Sequence, residues 1–401
     1  MPGILSKLNG NAQRGFSLVE LMVGVLIGLI GMVVIFQMLS VWDARKRTTT
    51  AGGDAQISGS VALYYLERDV KLAGFGFGRA AAPGHLNFLG CNVQFYDSTL
   101  TAPANAYTVP LLPVRIVRIG AVGANPVQLY TLRGASATFA AEQTFSASTA
   151  TTKTVQSNGG MIIGDLLVVA EDDTKSWTGA PYCAAVEFTD NTNGTGKYVG
   201  NFVGHTQGTY INAAGVSGTS QFNAASGPPN LPNPAGFTAG WIFDLGPRND
   251  VRWNLWQLRG TALTVADLLH PADANGDGVN DWEEVADNII DFQAQYGFDI
   301  NPTDNMIDPN PAAGEWTSTE PSPVNWTKLR AIRVGLLARS QQYEKDQNVT
   351  TSAPGWSGGT FVMKNVDGTA DTSPGDANDW RRYRYRVYEM VIPLRNLLWG
   401  Q

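Results

Sequence analysis

The sequence predicts an α+β protein with one long amino-terminal helix and a head rich in antiparallel strands. Two features of its 401 residues carry this prediction. The first is an apolar stretch near the amino terminus that continues onward at helical spacing. The second is a series of later segments in which apolar and polar residues alternate, as in half-buried strands. Strands that follow one helix, without further helices between them, are typical of the α+β class.

The long helix is predicted in two parts. Residues 16–39 are almost wholly apolar. At about 1.5 Å per residue they are long enough to cross a hydrocarbon core about 30 Å thick. Residues 40–74 are predicted to continue the helix outside the membrane, because apolar side chains recur near helical spacing. These side chains are Ile57, Val61, Tyr65 and Leu72. The glycines between positions 74 and 78 predict the end of the helix.

The head is predicted to span residues 75–401 and to consist mainly of strands. Six segments have the composition or the alternation of strands: 113–122, 164–172, 184–190, 288–299, 329–340 and 381–396. The segment 190–240 is rich in Gly, Asn, Thr, Ser and Pro, and it predicts a loop-rich insertion. For this insertion a flexible surface loop and a binding surface both stay open, since loops on rigid scaffolds often carry recognition.

Charge and cysteine content narrow the class of protein. The net charge is −7, and only 16% of the residues are charged. This balance argues against general nucleic-acid binding, which shows a basic footprint. The two cysteines, Cys91 and Cys183, favour one disulfide if the chain is exported. Two separate buried thiols are the alternative.

The amino terminus carries an acid where an apolar helix should have none. Glu20 lies inside the apolar stretch, where a charge costs roughly 3 kcal/mol on insertion scales. A cut between Gly15 and Phe16 would leave a free amino group on Phe16, one helical turn from Glu20. In a stack of subunits, Glu20 could neutralise the amino group of a neighbour, because paired charges cost less than isolated ones in a low dielectric. A signal anchor with an incidental Glu is the alternative.

The residues Gly-Phe-Ser-Leu-Val-Glu, from Gly15 to Glu20, resemble the class III signal of type IV prepilins. The order of later segments is similar to that of PilW-type minor pilins of type IV pili. These segments are Gly90-Cys91, GDLL, NIIDFQAQYG, LRAIRVGLLARS and YEMVIPLRN. The related J-type pseudopilins of type II secretion share this general plan. The resemblance therefore implies a type IV pilin-like fold, with the helix packed on the sheet of the head.

The resemblance also implies a maturation route and a place in the cell. Residues 1–15 would be a leader that a prepilin peptidase removes at Gly15 and Phe16, and Phe16 would then be N-methylated. The chain would cross the inner membrane once, carry a periplasmic head, and later sit at or near the pilus tip. The implied partners are the assembly platform, the major pilin and other minor pilins, with a large tip adhesin as a further candidate.

The implied function is to prime pilus assembly and so to support adhesion, twitching motility or DNA uptake. Two alternatives remain open on the sequence. One is a minor pseudopilin of a type II secretion system. The other is a tip adhesin module that binds a surface ligand through the 190–240 insertion. No H-E-x-x-H, G-x-S-x-G or P-loop motif is present, so we expect no enzymatic activity.

Two glycines in the apolar stretch form a G-x-x-x-G pattern, Gly24 and Gly28. Small residues let helices approach closely in membranes, so the pair predicts helix packing. Ordinary glycine enrichment in spanning helices is the alternative.

The segment DANGDGVNDWEE, residues 273–284, has the spacing of a calcium loop. The oxygen ligands that this spacing predicts for Ca²⁺ are Asp273, Asn275, Asp277, Val279, Asp281 and Glu284. A polar turn rich in Asx caps is the alternative.

A basic and aromatic run lies near the carboxy terminus. Its arginines, at positions 381, 382, 384 and 386, alternate with tyrosines. Alternation with period two favours a strand with one solvated basic face over direct nucleic-acid binding.

Overall fold

The structure is a computed structural model. It describes residues 15–78, 88–120, 125–136, 142–171, 183–212, 214–227, 239–271, 280–300, 306–308, 314–320, 323–344, 348–369 and 378–398. It divides into two compact units, residues 1–53 and residues 54–401. The first unit contains the apolar part of the long helix, and the second contains the rest of that helix together with all the strands.

The helix α1 (Leu18–Leu72) is the longest element, and it confirms the predicted amino-terminal helix. It ends where the glycines follow. Gly74 and Gly76 have φ angles of 82° and 91°, a left-handed conformation that residues with a Cβ rarely adopt. The amide of Asn396, in the short helix α2 (Arg395–Leu398), donates hydrogen bonds of 3.0 Å to the carbonyl oxygens of Leu72 and Ala73. These bonds satisfy carbonyl groups that the end of a helix leaves without partners.

Twenty-one strands are assigned in the described part of the chain, most of them short. In the first half they are β1 (Asn92–Tyr96), β2 (Ala106–Pro110), β3 (Val114–Val117), β4 (Gln128–Arg133), β5 (Gln143–Ser148), β6 (Thr152–Val155), β7 (Asp165–Glu171), β8 (Cys183–Glu187), β9 (Phe202–Gly204), β10 (Thr209–Ile211) and β11 (Ser217–Thr219). In the second half they are β12 (Gly240–Pro247), β13 (Arg252–Arg259), β14 (Ala262–Asp267), β15 (Glu283–Ala286), β16 (Ile289–Phe298), β17 (Trp316–Thr317), β18 (Leu329–Arg339), β19 (Gly355–Trp356), β20 (Gly359–Thr360) and β21 (Tyr385–Pro393).

The strands form three larger sheets and two hairpins. The largest sheet has the order β2-β1-β8-β7-β12-β5-β6-β9. The second has the order β15-β14-β13-β4-β3, and the third has the order β17-β16-β18-β21. The hairpins are β10–β11 and β19–β20. All described strand pairs are antiparallel except β1 with β8. The predicted α+β class and the strand-rich head are therefore confirmed.

The core of the head lies between the helix and the sheets. Helix residues one turn apart are fully buried, namely Ala62, Leu66 and Val70, and so is Ala73, directly after the helix. They belong to one apolar cluster with side chains from all three larger sheets, including Leu132, Phe243 and Phe292. Every residue of β7 is buried, which explains the apolar run Leu166–Ala170 between its terminal acids. A second, smaller cluster lies on the other side of β7 and includes Leu167 and Val169.

The six segments predicted as strands all contain strands. They correspond to β3, β7, β8, β16, β18 and β21. The 190–240 segment contains β9, β10 and β11, and part of it packs into the head. Phe202 and Val203 belong to β9, which joins the largest sheet beside β6, and Phe222 is 1% exposed. Residues 213 and 228–238 of this segment lie outside the described residues.

Candidate functional site

The residues around the predicted cleavage point precede the helix. Gly15, Phe16 and Ser17 are exposed and non-helical, and α1 begins at Leu18. The Ser17 carbonyl oxygen accepts the first helical hydrogen bond, from the Leu21 amide at 3.0 Å. Residues 1–14 of the predicted leader lie outside the described residues. The residues on both sides of the Gly15–Phe16 bond are therefore exposed and non-helical, and cleavage at this bond stays a prediction.

Glu20 lies in the first turn of α1 and is exposed. Among the described residues, none donates a hydrogen bond to its carboxylate. The apolar stretch around it, Leu18–Trp42, is long and apolar enough to cross a membrane, and none of it is buried by other residues. This is the transmembrane-type helix that the sequence predicts. Its acid has no donor of its own in the described chain.

The glycines of the apolar stretch have open space around them in the described chain. A Cβ placed at Gly24 or at Gly28 would meet no atom within 4 Å. The small size of these residues is therefore unrelated to packing within the described chain. Packing against other helices, which the G-x-x-x-G pattern predicts, stays a prediction.

A second acid of the helix, Asp69, fixes the helix to the head. Its side chain is largely buried and accepts hydrogen bonds from the Trp256 indole at 2.7 Å and the Thr131 hydroxyl at 2.5 Å. The Asn254 amide donates to both carboxylate oxygens, at 3.0 and 3.1 Å. The Arg133 guanidinium is 3.8 Å away. The carboxylate thus links α1 to β4 and β13 through donors that replace water.

The backbone of α1 makes a second close contact with the head at Gly59. Gly59 is buried, and a Cβ at this position would fall inside the ring of Tyr388 on β21. The Tyr388 hydroxyl donates to the carbonyl oxygen of Gln56 at 3.2 Å. Arg386, from the same strand, donates to the Gln56 side chain at 2.8 Å. The head therefore sets both the depth and the rotation of this part of the helix.

The predicted disulfide is confirmed. Cys91 and Cys183 are bonded, with their Cα atoms 6.1 Å apart, and both are buried. The bond joins the start of β1 to the start of β8, where the two strands pair in parallel through Val93 and Cys183. It stabilises the one parallel contact of the described strands, which joins segments distant in sequence.

The calcium prediction falls mainly outside the described residues. Of the six predicted ligands, Asp273, Asn275, Asp277 and Val279 lie in the segment 272–279, which is not described. Asp281 follows that segment, and Glu284 belongs to β15, where it pairs with Thr264. Within the described ranges no group of three or more His, Cys, Asp or Glu side chains is placed to hold a metal ion. Calcium binding therefore stays a prediction.

The basic run near the carboxy terminus is engaged inside the head. Arg381 is 3.2 Å from the Asp379 carboxylate and lies over the Trp380 ring. Arg384 is 3.0 Å from Glu344. These arginines bind side chains of their own chain, so they do not form a free basic patch.

A pocket of about 440 Å³ lies beside Asp69, between the helix and β13–β15. On its wall, Asp267 accepts from His270 Nδ1 at 2.9 Å and lies 3.5 Å from Arg252. The described lining residues include no Ser, Cys or Lys that could act as a nucleophile beside His270. The described lining of the pocket therefore contains no nucleophile–base pair.

Two buried ionisable pairs lie near the smaller core. Lys153 Nζ is 3.0 Å from His205 Nε2, and burial lowers the pKa of Lys153 to about 7. Burial and the neighbouring Lys153 lower the pKa of His205 well below its usual value. On β7, burial and then the charge of Asp244 raise the pKa of Asp165 to about 7. These groups make the stability of the head depend on pH.

Two anchoring acids are not among the site residues predicted from sequence. Asp69 is one of them, and its signal is its place on the buried stripe of α1, between Leu66 and Val70. The other is Glu187, the last residue of β8, which is fully buried and 3.0 Å from Arg248. Its signal is a single acid inside an otherwise apolar strand.

Comparison with known proteins gives two family matches. Residues 259–396 match the family model described as Type IV Pilus-assembly protein W, PilW. Residues 10–36 match the model of the prokaryotic N-terminal methylation motif. No curated protein sequence matches the chain.

One solved structure is similar in part, a type IV-like pilin from Thermus thermophilus. It shares 15% sequence identity and a TM-score of 0.21 with this chain. The likeness covers 37% of this chain and 66% of the pilin, slightly less than two thirds of its length. At these values it carries no argument about function.

Proposed function

Its two family matches make the chain a PilW-type minor pilin of type IV pili, and from that premise we propose that it primes pilus assembly at the filament tip. Removal of residues 1–15 by a prepilin peptidase leaves Phe16 as the amino terminus, which is then methylated. The inner membrane holds the helix while the head folds on the periplasmic side. Transfer from the membrane into a filament then brings α1 against the helices of other pilins.

The observation that carries this proposal is the state of Glu20. It is an acid in a membrane-length apolar helix, and no described residue donates to it. A carboxylate in that position costs roughly 3 kcal/mol, and a charge of opposite sign beside it offsets this cost. The amino group of Phe16 on a neighbouring subunit is such a charge, and it retains its charge after methylation. Pairing with it stabilises the assembled state over the membrane-inserted one and sets the axial register of the subunits.

The head contributes contacts to partners. Lateral contacts with the major pilin and other minor pilins, and a seat for a large tip adhesin, are the contributions that fit a folded head of three sheets held rigidly on α1. The assembly platform is the partner during insertion. Through the filament, this subunit would support adhesion, twitching motility or DNA uptake.

The proposal is tested first at the amino terminus and at Glu20. Mass spectrometry of the chain from isolated pili should find methylated Phe16 as the first residue. Glu20→Ala should be processed normally but should enter pili roughly tenfold less or worse, because an unpaired amino group costs at least as much as a tenfold change of about 1.4 kcal/mol. The matched control is Glu67→Ala, which removes another acid of α1 that pairs only with Lys71.

Three outcomes would contradict the proposal. A chain that still begins at Met1 would exclude cleavage. Normal incorporation of Glu20→Ala would exclude the pairing. A chain absent from sheared pili, but required for secretion of a folded protein, would replace the pilus with a type II secretion pseudopilus.

We propose in addition that the 273–284 loop binds Ca²⁺ and thereby stabilises the head. Support comes from its ligand spacing and from the Asn280 amide, which donates to the Asp267 carbonyl at 3.0 Å and so ties the end of the loop to β14. Calcium at a hundred times its dissociation constant would add about 2.7 kcal/mol of stability. Removal of calcium by EDTA should lower the melting temperature of the head by several degrees, about 2 to 4 °C for each kcal/mol.

A double variant separates the calcium site from a polar turn. Asp273→Ala with Glu284→Ala should remove the EDTA effect. Asp367→Ala, which alters an exposed Asx turn elsewhere in the head, should keep it. If the unmodified protein melts at the same temperature with and without calcium, the loop is a polar turn.

A further inference from the structure

The hairpin β10–β11 stands apart from the larger sheets. Its strands pair only with each other in the described chain, through Thr209 with Thr219 and Ile211 with Ser217. Most of its side chains are exposed. The Asn212 side chain holds the turn, since its oxygen accepts from the amide of Val216 at 2.8 Å. The Asn212 side chain therefore ties the ends of the two strands together, and no described sheet supports the faces of the ribbon.

The buried Glu187 anchors the base of this hairpin. Its carboxylate accepts from the Tyr210 hydroxyl at 2.7 Å, the Gln221 amide at 2.8 Å and Arg248 at 3.0 Å. The same Arg248 nitrogen donates to the Thr219 carbonyl at 2.6 Å. Two-stranded ribbons are marginally stable in water. One buried ion pair thus holds both strands of the ribbon to the end of β8.

The ring of the anchoring tyrosine packs tightly against one glycine, Gly218. A Cβ at Gly218 would lie 2.8 Å from the Tyr210 ring, and one at Gly164 would lie 3.6 Å from it. Burial, and then the hydrogen bond to Glu187, raise the pKa of Tyr210 to about 12. The hydroxyl therefore stays a donor at any physiological pH, and the hairpin keeps its direction.

The outer edge of β10 is open. The Asn212 amide donates to the Val216 carbonyl at 2.9 Å, and the Ser220 amide donates to the Gly208 carbonyl at 2.9 Å. In an antiparallel pair these bonds alternate, so Thr209 and Ile211 direct their own N–H and C=O groups away from β11. No described strand pairs with that edge.

This edge has only one of the features that usually prevent pairing with other chains. Natural edge strands are very short or carry charges, prolines or bulges, and of these β10 has only its short length, three residues. Residues 206–243 contain no Asp, Glu, Lys or Arg, although 16% of the whole chain is charged, and residues 206–227 contain no proline. Two apolar side chains are exposed beside the turn, Ile211 at 66% and Val216 at 59%. An uncharged edge of this kind, unpaired in the described chain, can pair with a strand of a partner.

We propose that the outer edge of β10 binds an extended, uncharged segment of a different exported protein as an added strand. The edge offers backbone donors and acceptors at strand spacing, and Ile211 and Val216 add apolar contacts, which are the elements of strand addition. An uncharged ribbon has nothing that recognises phosphate or nucleic acid. A second copy is disfavoured because each chain has a net charge of −7 and like-charged copies repel. The inference requires an exported, folded head and is independent of the pairing of Glu20.

The test places a photoreactive amino acid in the full-length chain, in cells that assemble it. Positions Ile211 and Val216 report on the hairpin, and Tyr198, which is 67% exposed, is the control position. Thr209→Lys puts a charge on the open edge, and Thr195→Lys puts one on a neighbouring exposed turn. We expect crosslinks from the two hairpin positions to one partner, tenfold weaker with Thr209→Lys and unchanged with Thr195→Lys. The crosslinked peptide, once sequenced, should be an uncharged segment of another exported protein.

Other results would overturn the inference. Crosslinks mainly to a second copy would make the hairpin a self-association element. Crosslinking from Tyr198 as strong as from the hairpin, or no crosslink at all, would show that the edge is not a specific surface. Ile211→Ser serves as a second variant that leaves the backbone uncharged, and an unchanged melting temperature shows that each variant is folded. A negative crosslinking result would not affect the interpretation of Glu20. Normal incorporation of Glu20→Ala into pili would not affect the interpretation of β10.

Discussion

Glu20 and Asp69 are two carboxylates on one helix, and their surroundings are opposite. Asp69 is buried and receives hydrogen bonds from Trp256, Thr131 and Asn254. Glu20 is exposed on an apolar, membrane-length segment and has no donor among the described residues. Asp69 finds its donors inside the chain, and we expect Glu20 to find its partner outside it.

The comparison shows how to tell a structural acid from an assembly acid. A carboxylate in a low-dielectric region is retained only where donors or a positive charge compensate its lost hydration. Where the chain supplies these donors, as at Asp69, the acid holds the fold. Where it does not, as at Glu20, we expect the compensating group to belong to another molecule. The glycines follow the same division, since a Cβ at Gly59 would collide with Tyr388 and a Cβ at Gly28 would meet no atom of the described chain within 4 Å.

The largest effect on the free energy of unfolding is expected for Asp69→Ala. This change leaves the Trp256 indole, the Asn254 amide and the Thr131 hydroxyl buried without their acceptor. We expect a loss of about 3 to 5 kcal/mol, because each unsatisfied buried donor costs about 1 to 3 kcal/mol and the pocket admits some water. Denaturant unfolding of the detergent-solubilised full-length chain, followed by tryptophan fluorescence, measures it.

The control for this comparison is Glu20→Ala in the same assay. It should leave the unfolding midpoint of the head unchanged, because the head makes no described contact with that side chain. Asp69→Asn, which keeps one acceptor and the shape, should cost less than Asp69→Ala. Equal losses for Asp69→Ala and Glu20→Ala would break the division between the two acids.

The sequence predicts the elements better than the contacts between them. The strands β16, β18 and β21 lie inside the segments 288–299 and 329–340 and the final basic run, because alternation is a local property that survives folding. The disulfide is predicted because the two cysteines leave one pairing. The parallel pairing of β1 with β8 is not predicted, because no local sequence pattern shows which distant strands pair.

The anchoring acids show the same limit at the level of side chains. Glu187 reads as one polar residue at the end of a strand, and its donors come from Tyr210, Gln221 and Arg248, which are distant in sequence. Neither the periodicity of the sequence nor secondary-structure propensity predicts contacts between residues that are distant in sequence. The amino-terminal motif, by contrast, is predictable because its residues, Gly15 to Glu20, are adjacent in sequence.

A smaller effect is expected from adding a methyl group to the helix glycines. Gly59→Ala would place a Cβ inside the ring of Tyr388, so the ring or the helix has to shift. Overpacking of this kind costs about 1 to 3 kcal/mol. Gly28→Ala should leave the unfolding of the head unchanged, because its Cβ meets no atom, but it should reduce incorporation into pili if close helix packing is its role. The two variants are compared by melting temperature and by the amount of chain in sheared pili.

Two results would change this interpretation. If Gly28→Ala enters pili normally, the G-x-x-x-G pattern reflects ordinary glycine enrichment. If Gly59→Ala is as stable as the unmodified protein, the contact with Tyr388 is adaptable and does not set the rotation of the helix. Neither result bears on the difference between Glu20 and Asp69, which the variants of those two residues test.

The smallest effect is expected from a change of pH, through the buried amine of Lys153. No carboxylate of the described chain pairs with this amine. Its amine contacts His205 and the carbonyl oxygen of Thr149 at 3.2 Å, and burial lowers its pKa to about 7. Because the unfolded chain binds this proton up to its ordinary pKa, the unfolded state holds more protons between pH 7 and 10.5. Stability should therefore rise with pH in this window and be lost as pH falls towards 7.

The expected slope is about 1 kcal/mol per pH unit between pH 7.5 and 9.5, close to the limit of about 1.4 kcal/mol for one proton. Asp165 does not disturb this window, because its raised pKa of about 7 makes stability fall with pH only below 7. Lys153→Met keeps the stem and removes the amine, so its unfolding free energy should be flat over the same range. A slope that persists in Lys153→Met would mean that another group titrates there. If the unfolding free energy of the unmodified protein does not change with pH in this range, the amine keeps its proton inside the head. Burial alone would then be too weak to deprotonate an amine that has no carboxylate partner.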